Sequence, residues 1–247
     1  MINQLQPVFQ RQIRRLFKGL GDTVVPPVCR LCGMGGFQRD CLSDLCPGCM
    51  ADLPLIEHHC QTCGLVLPRT VARCGQCIRQ PPHFNRVWAA LVYQPPIEGL
   101  VQAYKFRREL AAGRVLAGIM ARQLAAQGAP RPDLLVPVPL HPRRHLWRGF
   151  NQAERLALDL VDLLGPINFD RLLVRRRATQ AQSELPASRR RGNVRHAFAV
   201  KDRSYPLPPF IALVDDVMTT GATVNECARL LKRQGARRVD VWVAARA

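Results

Sequence analysis

Eight of the ten cysteines in this 247-residue chain fall into four C-x-x-C pairs: CRLC (Cys29, Cys32), CPGC (Cys46, Cys49), CQTC (Cys60, Cys63) and CGQC (Cys74, Cys77). Each pair sets two thiolates on one side of a tight knuckle, and two knuckles complete a tetrahedral zinc site. Gly33 and Gly64 follow their knuckles directly, and Gly48 and Gly75 lie inside theirs, where tight turns need them. Four sulfur ligands per ion leave no place for water, so the expected role of zinc is structural, with one or two ions per chain. Pairing in chain order (Cys29, Cys32, Cys46, Cys49, then Cys60, Cys63, Cys74, Cys77) and a cross-braced pairing both satisfy the spacing. Residues 29–80 hold few large apolar side chains, so metal is expected to supply much of their folding energy. Cys41 and Cys227 read as ordinary small residues.

A disulfide framework would need an oxidising compartment. The first residues lack a secretory pattern because Arg11, Arg14, Arg15 and Lys18 interrupt any apolar run, and no run approaches a membrane span. A cytoplasmic location follows as the expectation. Those cations alternate with Leu5, Phe9, Ile13, Leu16, Phe17 and Leu20 at helical spacing, so residues 1–28 read as a basic amphipathic segment. Thirty-six Lys plus Arg against 18 Asp plus Glu give a net charge of +18, nearly all of the excess arginine. That field attracts polyanions, and arginine suits bidentate phosphate contacts.

From residue 81 onward the pattern changes to alternating strands and helices. Val87–Tyr93 and the run DLLVPVP read as strands, as do PFIALVDDV and RVDVWVAAR. Gly99–Gln127, NQAERLALDLVDLL and TVNECARLLKRQ read as helices, with Gly113 a candidate break and Gly235 a cap. Strands apolar on both faces predict an α/β domain over 81–247, a parallel sheet covered by helices. Between Arg171 and Arg203 lies a basic loop holding ten Lys or Arg against two acids.

The stretch IALVDDVMTTGAT carries the most chemistry. Ile211–Val214 predict a buried strand, with Asp215 and Asp216 at its carboxyl rim, where open α/β sheets bind ligands. Thr219, Thr220, Gly221, Ala222 and Thr223 then form a turn into a helix, whose free amides and dipole suit a phosphate. Carboxylates beside a phosphate cradle suit the hydroxyls of a sugar, so the inferred ligand is a ribose 5-phosphate unit.

LVDDVMTTGAT resembles the phosphoribosyl-pyrophosphate (PRPP) motif of type I phosphoribosyltransferases. With the cysteine pairs, VPVPLHPRRHLWRGFNQAERLA and RATQAQSELPASRRRGNVRHAFAV, the layout resembles the ComF family of ComFC-like and GntX-like proteins. The likeness covers roughly Cys29 to the carboxyl terminus. It implies a type I phosphoribosyltransferase-like sheet behind a small double zinc-ribbon-like domain. It also implies a magnesium-dependent PRPP site, with Asp215 and Asp216 on the ribose side and Thr219–Thr223 on the 5-phosphate. Arg143 and Arg144, after LLVPVP, match the pyrophosphate loop, and Arg148 is a phosphate or base contact, with Asn151 a helix cap. Three functions stay open: phosphoribosyl transfer to a nitrogen nucleophile, a single-stranded-DNA-handling module whose PRPP site is regulatory, or a scaffold whose knuckles bind protein. The family association is with natural competence, DNA entering the cytoplasm beside a helicase-like ATPase.

Overall fold

A computed structural model of the chain describes residues 27–37, 44–141, 146–176 and 197–247. In chain order its elements are α1 (Pro47–Ala51), α2 (Gly75–Arg79), β1 (Arg86–Val92), α3 (Ile97–Phe106), α4 (Leu110–Ala126), β2 (Leu134–Pro137), α5 (Gln152–Leu164), β3 (Asn168–Phe169), β4 (Leu173–Arg175), β5 (Phe198–Val200), β6 (Phe210–Met218), α6 (Ala222–Arg233) and β7 (Arg238–Arg246). The predicted amphipathic segment lies almost wholly outside the described residues.

The apolar strands form a five-stranded sheet in the order β1-β7-β6-β2-β3, with every pairing parallel. Strands buried on both faces need no polar alternation, which is why Leu134–Pro137 and Ile211–Val214 read as unbroken apolar runs. Alternate residues serve the two faces. Ala212 and Val214 of β6 pack with Leu100, Tyr104, Leu116, Met120 and Leu156 of α3, α4 and α5. Ile211 and Leu213 pack with Val224, Cys227, Ala228 and Leu231 of α6 on the other side. The expected α/β architecture, a parallel sheet flanked by helices, is what the chain adopts.

The cysteine-rich stretch lies along β1, which is an edge strand of this sheet. Val92 N donates to Pro54 O at 2.8 Å, Val87 N donates to Thr62 O at 3.1 Å, and Leu55 bridges Leu91 in antiparallel fashion. Leu53 and Ile56 are buried against the sheet's two cores. An otherwise bare strand edge is thereby covered, and the cysteine segment gains apolar burial that its own composition could not provide.

The helical stretch after β1 breaks at Arg107–Glu109 rather than at Gly113. Arg108 there takes φ +58°, whereas Gly113 lies inside α4. Gly113 serves close packing: a Cβ on it would stand 2.4 Å from Cε2 of Tyr104. The basic loop also has a structured base, because β4 and β5 pair antiparallel; residues 177–196 between them lie outside the described residues. No helix among the described residues is long and apolar enough to cross a membrane.

Gly113→Ala is expected to destabilise the protein by about 1–3 kcal/mol through overpacking against the Tyr104 ring, despite alanine's better helix propensity. Urea unfolding at fixed zinc concentration checks this, and a midpoint at or above wild type would refute the packing argument.

Candidate functional site

The thiols gather in two sets, Cys29 with Cys32, Cys46 and Cys49, and Cys60 with Cys63, Cys74 and Cys77. Within each set the sulfurs lie within 4.8 Å of one another, so the pairing follows chain order and is not cross-braced. All eight are free of disulfides. Tetrahedral zinc with Zn–S bonds of about 2.3 Å requires S···S edges of about 3.8 Å. The Cys32–Cys46 and Cys63–Cys74 sulfurs stand 3.7 Å apart. Backbone amides already face the sulfurs as they would face thiolates: Cys74 N donates to Cys60 Sγ at 3.1 Å and Cys49 N to Cys46 Sγ at 3.5 Å.

Proton affinities diverge within each set. Burial works against ionisation of Cys29, but amide hydrogen bonds from Cys32, Cys46 and Leu31 outweigh it and bring its pKa down to about 6. Cys74 reaches about 7, where burial is outweighed by hydrogen bonds from Cys77, Cys63 and Cys60. Burial pushes Cys63 up to about 11, and Cys49 and Cys77 higher still, with neighbouring thiols adding to the rise for Cys49 and Cys77. A divalent cation removes that conflict by favouring every thiolate at once. Both sets could therefore hold a zinc ion. Two zinc per chain are expected by mass spectrometry of acid-released metal, and one in a Cys63→Ser variant. One zinc in the wild type would mean that only one set is filled.

Strand β6 does not stop at Val214. It pairs with β7 through Asp215 to Met218, so both aspartates belong to the strand. Adjacent strand residues project to opposite faces, and the two carboxylates separate accordingly. Asp216 faces the α3 side, where Lys105 Nζ meets its Oδ2 at 2.9 Å, with Asp216 itself 7% exposed. Asp215 lies on the α6 side, partly buried. Its Oδ1 accepts from Asp216 N at 3.0 Å. Burial first, and Asp216 second, raise its pKa to about 7, with Lys105 acting in opposition.

The chain then turns through Thr219, Thr220 and Gly221 into α6. Gly221 caps the helix at φ +75°, and a Cβ there would stand 2.5 Å from Cε of Met218, so only glycine fits. Thr220 Oγ1 accepts from Ala222 N at a long 3.4 Å. Among the described residues, the amides of Thr219, Thr220 and Gly221 have no protein acceptor. Ala222 and Thr223 belong to the first turn of α6 rather than to the loop. Three amides at the start of a 12-residue helix, at the carboxyl end of a central strand, could together accept an anion.

Asn151 caps α5, accepting from Ala153 N at 3.2 Å. Arg148 donates to Gln152 Oε1 at 3.2 Å and lies over the Phe106 ring at 5.0 Å. Arg143 and Arg144 lie outside the described residues. Sequence reasoning placed Lys105 only on the polar side of a helix. Its position amid the buried run of α3, in a chain that otherwise prefers arginine, was the available signal.

No protein-family model matches the chain. It is similar to the DNA utilization protein YhgH of Salmonella typhi, 36% identical over 228 residues that cover 90% of this chain and 98% of that protein. The Competence protein F of Haemophilus influenzae is 35% identical over 211 residues, covering 82% of this chain and 90% of that protein. The chain belongs to the ComF family. Another family member, the Competence protein ComFC of Streptococcus pneumoniae, is 29% identical over 201 residues, 81% of this chain and 80% of its own length.

In this ComF protein the raised pKa of Asp215 sets a direction of pH dependence. The folded state holds that proton more tightly than the unfolded state, so stability falls as pH rises from the ordinary carboxylate range through about 7. Asp215→Asn is expected to gain stability relative to wild type over that window, read as urea midpoints at fixed zinc. A difference that does not change with pH would show that Asp215 is not so perturbed.

Proposed function

We propose that this protein acts in the uptake and use of foreign DNA, and that it does so with a bound phosphoribosyl ligand, PRPP or a related ribose phosphate. The names carried by its relatives, competence proteins and DNA utilization proteins, support the first part. The second rests on one observation: the unengaged amides of Thr219, Thr220 and Gly221 at the start of α6, beside Asp215 and Asp216.

In this reading the 5-phosphate sits on the Thr219–Thr223 turn, and Asp215 accepts hydrogen bonds from the ribose hydroxyls. Asp216 works from the other face, paired with Lys105. Arg143, Arg144 and Arg148 belong to the pyrophosphate side. Magnesium would enter with the ligand, because Mg²⁺ keeps most of its water and binds through one or two carboxylates together with substrate phosphates. The carboxylate donors at hand are Asp215, on which the charges of Lys105 and Arg175 act, and Asp216, paired with Lys105 at 2.9 Å. That donor set fits an ion delivered by a pyrophosphate better than a resident one. The ion would neutralise charge on the pyrophosphate. Zinc in the two cysteine sets serves the fold, with no part in the chemistry.

Calorimetric titration with PRPP and Mg²⁺ tests the site. Binding is expected in the wild type. Thr220→Ala should weaken it roughly 10- to 100-fold, the worth of a hydrogen bond to a charged group. Gly221→Val should abolish it. Unchanged affinity in both variants would remove the assignment. Pyrophosphate release with a panel of nucleobases then separates a transferase from a PRPP-binding regulator.

A further inference from the structure

Two large aromatic rings stand exposed side by side at the carboxyl end of α3. Phe106 is 53% exposed and Trp147 67% exposed. Their ring centroids lie 5.9 Å apart at an interplanar angle of 60°. Leaving two such side chains in water forgoes the burial that aromatic residues ordinarily supply.

The pair is held in place from behind. Arg108, in its left-handed conformation, donates from Nη2 to Trp147 O at 2.9 Å. Beneath them the buried Tyr104 packs against Phe150 at 5.4 Å and donates to Gln152 O at 3.0 Å. Arg148 lies over the Phe106 ring, and Arg107 and Arg108 are exposed at the same corner. Phe106 follows Lys105 directly, so this surface adjoins the Lys105–Asp216 pair at the sheet's carboxyl rim.

We propose that Phe106 and Trp147 form a stacking platform for the bases of single-stranded DNA, with the neighbouring arginines on its phosphates. Charge complementarity favours that occupant: the chain carries a net +18, and beside the rings stand Arg107, Arg108 and Arg148, with Glu109 paired to Arg107 at 3.0 Å. Every base offers a π-face to an exposed ring, and an arginine-lined surface tracks the backbone without reading sequence. In a duplex those faces are stacked on one another and unavailable. The proposal rests on the DNA-handling half of the function above and shares only Arg148 with the ribose-phosphate half.

The test uses the full, zinc-loaded chain and a fluorescein-labelled (dT)20 oligonucleotide, read by anisotropy. Wild type is expected to bind the single strand better than a duplex of equal length. Trp147→Ala and Phe106→Ala should each weaken binding roughly tenfold, and Trp147→Phe should retain most of it. Both rings are exposed, and urea midpoints close to wild type would show that the variants fold. PRPP affinity of the Trp147→Ala sample should not change; Phe106→Ala also removes the ring under Arg148 and is read by DNA binding alone. Wild-type binding of (dT)20 that the alanine variants preserve would overturn the platform while leaving DNA handling intact. A wild type that binds no oligonucleotide would overturn both. Binding of thymidine monophosphate as tight as that of (dT)20, and equally lost in Trp147→Ala, would reassign the rings to a mononucleotide and overturn the single-strand proposal.

Discussion

Arg246, near the end of β7, donates from Nε to Cys63 O at 3.1 Å and from Nη1 to Met218 O at 3.1 Å, and it also bonds Ala247 O. It is 6% exposed, and burial pushes its pKa down against the opposing pull of the Cys63, Cys74 and Cys60 thiols. Hydrogen bonds from a charged donor are worth about 1.5–3 kcal/mol, and leaving one partner buried and unmatched costs more. Cys63 belongs to the second sulfur set, and Met218 immediately precedes the turn at Thr219. One guanidinium thus fixes a metal knuckle, the last residue of the central strand and the entry to the turn before α6. The two sequence motifs that announce themselves most loudly are mechanically a single unit.

The adjacent aspartates also take their meaning from the strand around them. Had β6 ended at Val214, both carboxylates could have turned to one side. Pairing with β7 up to Met218 denies them that freedom. Asp216 goes to the α3 face and pairs with Lys105; Asp215 goes to the α6 face, where the charges of Lys105 and Arg175 act on it without displacing the effect of burial. Identical side chains one residue apart thereby acquire different surroundings, through the period-two geometry of a strand and the element packed on each face.

Much of this was legible before any coordinates. Cysteine spacing declared the two four-sulfur sets, because ligand geometry is local and a knuckle is short. Apolar runs without polar alternation declared the parallel sheet, and Thr-Thr-Gly marked the turn into α6. What was missed is long-range. The choice between chain-order and cross-braced sulfur sets depends on how knuckles meet in space, which their similar spacing does not encode. Gly113 looked like a helix break because its partner, the Tyr104 ring, comes from a separate helix. Lys105 read as the polar side of a helix because its partner, Asp216, comes from a strand far along the chain. Phe84 and Trp88 are buried, and only the fold brings Phe106 alongside Trp147.

Cover on β1 comes from the segment that threads between the two sulfur sets, and its amide and carbonyl bonds with Pro54, Ile56 and Thr62 occupy that strand's outer row. Chelation or oxidation of the thiols would loosen this cover before it touched the helices. The strand would then offer its unpaired backbone to a neighbouring molecule, and sheets could join end to end. Loss of metal in this protein would thus register first as self-association, with secondary structure content preserved.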